Sequence, residues 1–384
     1  MRVLIFTDEY DYGYFTFIYN EIKQLEAAGV ELHVVCERTG KLKETDTDYT
    51  RIPMIKNALF RNFYLATSRR RLFFLTSFFP YFSKRQRIIR DYKPDIIHLH
   101  FGDTATRLFF PLKSSIRNIP FVVSFHGFDA SNFLSRAYYV ENLRHMIREP
   151  RFHGICVSRH LKENLVRKDT GINDRNSSIL YYGTNVDMFR RTRRENNKVR
   201  IFLQISSFYE KKGHIYTLQA FRKFLDRNEG KAKLIIGGDG PRREGLMQLA
   251  RELGLTDAVE FPGWINRDQA VRLLDEADYF VHHSITADNG DQEGMPNAII
   301  EAMAMELPVI STHHSGIPEL MEDGVNGYLV KEKDVDAYAV KMEQILSWTY
   351  LPASREKIEQ HFSLPVHTKG LLSIYQQQLD NSSK

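Results

Sequence analysis

The chain reads as α/β, with two Rossmann-like domains and a cleft between them. Three observations predict this. Short apolar runs that fit strands alternate with longer amphipathic stretches that fit helices, the pattern of parallel sheets layered with helices. The alternation stops at residues 188–198, MFRRTRRENNK, which are charged and have no apolar period, and it restarts with VRIFLQIS. The 384 residues, 42% of them hydrophobic, suffice for two cores. Ligands in such sheets bind beyond the carboxyl ends of the strands.

In the first half, RVLIFT is predicted as a strand, TFIYNEIKQLEAAG as a helix ended by Gly29, and ELHVVCE as the next strand. Residues 38–58 are polar and irregular. DIIHLH and FVVSF are apolar strands with a helix near 104–118 between them. A helix over 135–148 precedes the strand HGICVS, which ends at Ser158. The next helix ends near Lys168, and SSILYYG is the last strand of this half. The second half continues with a helix over 214–228, then AKLIIGGDGP, VEFPG, a helix over 267–276 and DYFVHH. The helix NAIIEAMAME follows, apolar on nearly every side, with Pro296 at its first turn, where a missing N–H costs nothing. The strand LPVIST, the turn HHSGIPEL and a terminal helix LPVHTKGLLSIYQQQL come last. The expected domains are 1–187 and 198–362.

Charge is distributed unevenly. Residues 1–190 hold 29 Lys/Arg and 20 Asp/Glu, and the remainder holds 24 and 28, so a basic half precedes an acidic one. Residues 60–93 carry nine Lys/Arg, one acid and ten aromatics. With Arg69-Arg70-Arg71 and Lys84-Arg85-Gln86-Arg87, this stretch suits an anionic membrane surface or a lipid-linked acceptor as well as it suits a packed helix pair with a solvated face. No nucleic-acid signature accompanies it, so nucleic acid is excluded as a partner. The two cysteines, Cys36 and Cys156, lie in apolar runs and read as reduced, buried thiols. MRVLIFTDEY is a first strand rather than a signal peptide, and no run of 18 apolar residues exists. These features predict a cytoplasmic protein, peripheral at the inner face of the plasma membrane. Asp46-Thr47-Asp48 matches D-x-D, but it sits in a polar loop with no strand before it, and no metal site is expected there.

Chemistry concentrates after predicted strands. The loop Glu293-Gly294-Met295-Pro296-Asn297 opens a helix that carries Glu301. Helix-terminal amides suit phosphate, and carboxylates suit sugar hydroxyls. Gly237-Gly238-Asp239-Gly240 lets backbone approach a ligand or forms a plain turn, and it is not G-x-G-x-x-G. Lys212 before Gly213 places an ammonium beside free helix amides, a combination that can hold a diphosphate. His126 ends a strand, where it serves either the core or a sugar hydroxyl, and Asp129 fits a helix cap. The first loop, DEYDYGYFTF, has Gly13 and Tyr14 among aromatics that can stack on an acceptor sugar.

Taken together, Glu-Gly-x-Pro-Asn-Ala-x-x-Glu-Ala-x-Ala, a Pro-Val strand, Gly-Ile-Pro-Glu-Leu and Asp-Gly-x-Asn-Gly closely resemble the donor-site signature of family 4 of the retaining glycosyltransferases, which has the GT-B fold. The resemblance covers the second half well and the first half in patches, among them His126-Gly127-Phe128-Asp129, Ser158 and Asn185-Val186-Asp187. Glu210-Lys211-Lys212-Gly213 also match, but Ser206 and Ser207 stand where the family has Gly-Arg. The resemblance implies a metal-free, retaining transfer of a sugar from a nucleotide-sugar to an acceptor hydroxyl, with no cofactor. In the roles it implies, His126 positions the sugar, Glu293 holds it, Glu301 holds the ribose, and Gly238, Asp239, Gly240 and Ser207 line the donor site. Lys212 and the amides at 294–297 stabilise the leaving diphosphate, and a phosphate oxygen takes the acceptor's proton. It also implies that helix 364–380 packs back on the first domain. The pattern Thr-Phe-Ile-x-x-Glu-Ile looks most like enzymes of bacterial exopolysaccharide assembly. Two other readings stay open: a catalytically weak sugar-nucleotide-binding partner of another glycosyltransferase, and an epimerase or hydrolase of nucleotide-sugars.

Overall fold

The computed structural model describes residues 1–10, 16–40, 47–53, 80–192, 198–228 and 232–382. The chain divides into two compact units, Met1–Gly183 with Leu364–Lys384, and Thr184–Ser363.

The first unit is built on a seven-stranded parallel sheet, in the order β3-β2-β1-β4-β5-β6-β7. Its strands are β1 (Arg2–Tyr10), β2 (Glu31–Thr39), β3 (Tyr49–Arg51), β4 (Ile96–His100), β5 (Phe121–Phe125), β6 (Phe152–Cys156) and β7 (Ser177–Ile179). Every residue of β4, β5 and β6 is buried, as expected of strands covered by helices on both faces. The covering helices include α1 (Thr16–Ala27), α2 (Pro80–Tyr92), α3 (Gly102–Ile116), α4 (Ala137–Ile147) and α5 (Arg159–Arg167). The terminal helix, Leu364–Ser382, belongs to this unit and contributes Leu371, Ile374 and Tyr375 to its core.

The second unit has a six-stranded parallel sheet, β10-β9-β8-β11-β12-β13. Its strands are β8 (Arg200–Ile205), β9 (Ala232–Gly237), β10 (Val259–Gly263), β11 (Tyr279–Val281), β12 (Val309–Thr312) and β13 (Gly327–Val330). Phe202, Phe221, Phe224 and Tyr279 dominate its core. In each sheet the strand order turns back beside the first strand, at β1/β4 and at β8/β11. Such reversals open a crevice at the carboxyl ends of the strands.

Several boundaries differ from the sequence expectation. The units part at Gly183/Thr184, ahead of the charged stretch at 188–198. The reason is hydrogen bonding. Thr184 N donates to Phe362 O, and Arg355 donates to Val186 O and Phe189 O. Arg191 donates to Leu274 O and Ala277 O. These bonds fasten the segment to the second unit. Pro296 occupies the N-cap of the helix Asn297–Ala304 rather than its first turn. The expected turn HHSGIPEL contains a short helix, Ile317–Leu320. No helix among the described residues is long and apolar enough to cross a membrane.

Arg69, Arg70, Arg71 and most of the 60–93 stretch lie outside the described residues. Within α2, Lys84 and Arg87 are exposed, but Arg85 is 1% exposed. Arg85 lies 3.8 Å over the Tyr81 ring and donates to Tyr81 O and Ile52 O. One cation of the expected basic face is therefore core. Asp46 lies outside the described residues, and Asp48 pairs with His33 at 2.8 Å.

Candidate functional site

The second unit gathers a polar cluster at the β8/β11 reversal. The loop after β8 carries Ser206 to Gly213, and the stretch after β11 carries His282 to Asn297. Lys212 Nζ lies 2.7 Å from Glu293 Oε1, and Glu293 is only 6% exposed. Burial raises the Glu293 carboxyl, but Lys212, Lys211 and His282 outweigh it and bring it down to about 2. Lys211 pairs with Asp291 at 3.1 Å, and Ile285 N donates to Lys211 O. The two loops are thus sewn together, with one ion pair largely enclosed.

Glycine is required where the loops approach. Gly213 has φ +59°, and a Cβ on it would stand 1.7 Å from His283 O. Gly238 has φ +139°, and a Cβ there would stand 1.9 Å from Ser206 O. Gly240 has φ +154°, and a Cβ there would stand 2.9 Å from Phe208 N. Asp239 is exposed and turns back to accept from Gly240 N. Ser207 is half-buried, and no arginine stands at its position; Arg242 pairs with Glu210 on the same loop at 3.1 Å.

Gly294, Met295 and Pro296 are buried, and they lead into the helix Asn297–Ala304, whose N-terminus no side chain caps. Ile299 N and Ile300 N donate to Pro296 O, and amides left free at such an end suit an anion. Glu301 lies on the half-buried side of this helix, while Ile299, Ile300, Ala302 and Met303 face the core. Lost solvation pushes its carboxyl up to about 7, with Arg267 pulling the other way.

Sequence reasoning missed the residues that hold Glu293. His314 Nε2 accepts from Glu293 N, and its Nδ1 is 2.6 Å from Glu332 Oε1. Ser315 Oγ donates to Glu293 O. The dipeptide His313-His314 in the following turn was the available signal.

In the first unit, His126 sits at the end of β5 with both ring nitrogens engaged. Nε2 is 3.1 Å from His100 Nδ1, and Nδ1 is 2.9 Å from Tyr182 Oη. The ring stacks on Tyr182 and touches Phe17 and Phe101. Burial, then His100, holds its pKa well below the ordinary value, so it is a neutral imidazole. No ring nitrogen is left for a hydroxyl in this arrangement. Asp129 does more than cap one helix, because it accepts from Gly102 N, His126 N and Gly127 N and so ties the start of α3 to the β5 loop. Asp129→Ala is expected to cost on the order of 3 kcal/mol, since it strands buried amides. Chemical denaturation measures this, and a loss under 1 kcal/mol would refute the assignment. Gly13 and Tyr14 lie outside the described residues.

Two family models cover the chain between them: "Glycosyltransferase Family 4" matches residues 13–188, and "Glycosyl transferases group 1" matches residues 185–361. The amylovoran biosynthesis glycosyltransferase AmsK of Erwinia amylovora is 30% identical over 302 residues, covering 74% of this chain and 70% of AmsK. The chain belongs to the group 1 glycosyltransferases. A second relative of this group 1 glycosyltransferase is the putative colanic acid biosynthesis glycosyltransferase WcaL of Salmonella typhimurium, 36% identical over 201 residues. That alignment takes in 50% of this chain and 49% of WcaL, so the chain spans about half the length of that relative. Among solved structures, Anabaena Alr3699/HepE in complex with UDP-glucose superposes with a TM-score of 0.75 at 18% identity, over 98% of this chain and 100% of that one. The lipopolysaccharide outer core galactosyltransferase WaaB superposes with a TM-score of 0.67 at 18% identity, over 100% and 99%. These likenesses show that this group 1 glycosyltransferase has the GT-B fold.

Proposed function

We propose that this chain transfers a sugar, with retention, from a nucleotide-sugar to an acceptor hydroxyl in the assembly of a bacterial surface polysaccharide. The observation that carries this reading is the enclosed Lys212–Glu293 pair beside an uncapped helix N-terminus, at the carboxyl ends of β8 and β11. Relatives named for amylovoran and colanic acid biosynthesis, and a neighbour solved with UDP-glucose, support the substrate class.

In this reading Lys212 and the amides of Gly294, Met295 and Asn297 face the diphosphate and stabilise the charge that develops as it leaves. Glu293 holds the lysine in place and takes hydroxyls of the donor sugar. Glu301 accepts from the ribose hydroxyls. The acceptor attacks from the face the diphosphate leaves, and a phosphate oxygen takes its proton. The first unit serves the acceptor, and the fixed ring of His126 positions the donor sugar. No cofactor takes part. A thermal-shift screen against a panel of nucleotide-sugars tests the reading, since a bound donor raises the melting temperature by mass action. Turnover by the isolated chain separates it from a weak binding partner, the reading that Ser207 in the arginine's place favours. Product release without any acceptor would instead mark an epimerase or hydrolase.

Two outcomes follow. Glu301→Ala weakens donor binding by about ten- to a hundredfold, the loss of hydrogen bonds to a charged acceptor. With its carboxyl near 7, Glu301 is largely neutral at pH 6 and ionised at pH 8. Ribose hydroxyls bind the ionised form better, so affinity rises with pH across this window in the parent chain and stays flat in Glu301→Ala. Calorimetry at both pH values decides, and a flat parent profile removes Glu301 from the ribose. The second outcome concerns metals. With an ammonium and amides at the diphosphate, transfer needs neither magnesium nor manganese. After brief EDTA treatment most activity is retained, and a complete loss restored by either ion would reverse the assignment.

A further inference from the structure

Helix α1 and strand β4 bring Glu21, His98 and His100 together, with one ligand atom of each within 4.8 Å of the others. Glu21 Oε1 is 3.3 Å from His100 Nε2 and 3.6 Å from His98 Nδ1. Ligands at about 2.0–2.1 Å from a tetrahedral ion stand about 3.3–3.4 Å apart, so two edges already have nearly the length of a coordination shell. All three residues are buried. Glu21 Oε1 and His100 Nε2 face one another at 3.3 Å as an ion-pair contact, and neither atom has a further hydrogen-bond partner. Buried polar atoms are rarely left so, because each costs its desolvation.

The remaining atom of each group is held from behind. Ser124 Oγ is 2.7 Å from His98 Nε2, His126 Nε2 is 3.1 Å from His100 Nδ1, and His367 Nε2 is 2.9 Å from Glu21 Oε2. Supports of this kind orient the ligands of protein metal sites.

We propose that Glu21, His98 and His100 bind a zinc ion. Two imidazoles and one carboxylate form a donor set that zinc takes readily. Tyr375 Oη, now 2.7 Å from His98 Nδ1, yields that nitrogen to the ion and stands beside the fourth position. Through Tyr375 and His367 the ion would fasten the terminal helix to the sheet of the first unit. It lies in the unit without Lys212, so it stands or falls independently of the donor chemistry proposed above.

The test uses the untagged full chain, stripped with a strong chelator and dialysed. Zinc alone is then titrated against a chromophoric competitor, with metal content and thermal unfolding measured in parallel. The expected result is one zinc per chain and a higher melting temperature with zinc. Glu21→Gln and His100→Gln should abolish both. Ser124→Ala removes only the support behind His98 and should weaken zinc binding about ten- to a hundredfold. If the Gln variants fail to fold, Ser124→Ala decides. A folded, stripped chain that takes up no zinc overturns the proposal and leaves a purely hydrogen-bonded cluster. So does zinc binding that is unchanged in Ser124→Ala.

Discussion

Lys212→Ala should lower kcat by about a hundred- to a thousandfold, the usual cost of removing one donor aimed at developing charge. The same substitution should destabilise the second unit, because it leaves Glu293 buried beside no ammonium. Breaking one side of an enclosed pair costs about 3–5 kcal/mol. The two effects are separable. Lys212→Met with Glu293→Gln replaces the pair with uncharged groups of similar size, and it should recover most of the stability while transfer stays as slow as in Lys212→Ala. The stability part also has a pH signature. The Glu293 carboxyl is held at about 2, below its unfolded value, so its contribution is complete above the unfolded value and fades as pH falls towards 2. The double variant should lose that part of the acid sensitivity. Donor turnover by the double variant at the parental rate would show that the lysine is structural only.

Much of this was legible because local chemistry and global fold agree. Gly213, Gly238 and Gly240 stand where backbone meets backbone, and only glycine fits. Buried parallel strands such as IIHLH and FVVSF announce themselves as unbroken apolar runs. The helices Arg243–Glu252, Val335–Gln344 and Pro352–His361 give little signal in the sequence, since they are short and polar on much of their surface. Pairings were less legible than elements. Lys212 and Glu293 lie in separate motifs, and nothing in either says that they meet. Arg85 looks like its basic neighbours, and only its seat over Tyr81, behind β2, makes it core. His126 was found from its position after a strand, but the partners that occupy both its nitrogens come from β4 and from Tyr182, far along the chain.

Gly213→Ala should cost more than a loop glycine ordinarily does. The residue has φ +59°, where an L side chain is strained by about 1–2 kcal/mol. That strain can be measured alone at Gly254, which has φ +66° and nothing within 4 Å of a built Cβ. At Gly213 the new methyl would stand 1.7 Å from the His283 carbonyl oxygen, so backbone must move by more than an ångström. The adjoining residue is Lys212, and Gln204 Nε2 donates to its carbonyl at 3.0 Å. Shifting this loop therefore moves the ammonium away from Glu293 and from the helix amides. A misplacement of about 1 Å in a catalytic group can cost about a hundredfold in rate. The expected pattern is a small drop in melting temperature for Gly254→Ala with normal turnover, against a larger drop and about a hundredfold slower turnover for Gly213→Ala. Equal behaviour of the two variants in both measurements would mean that the contact between Gly213 and His283 does not place the lysine.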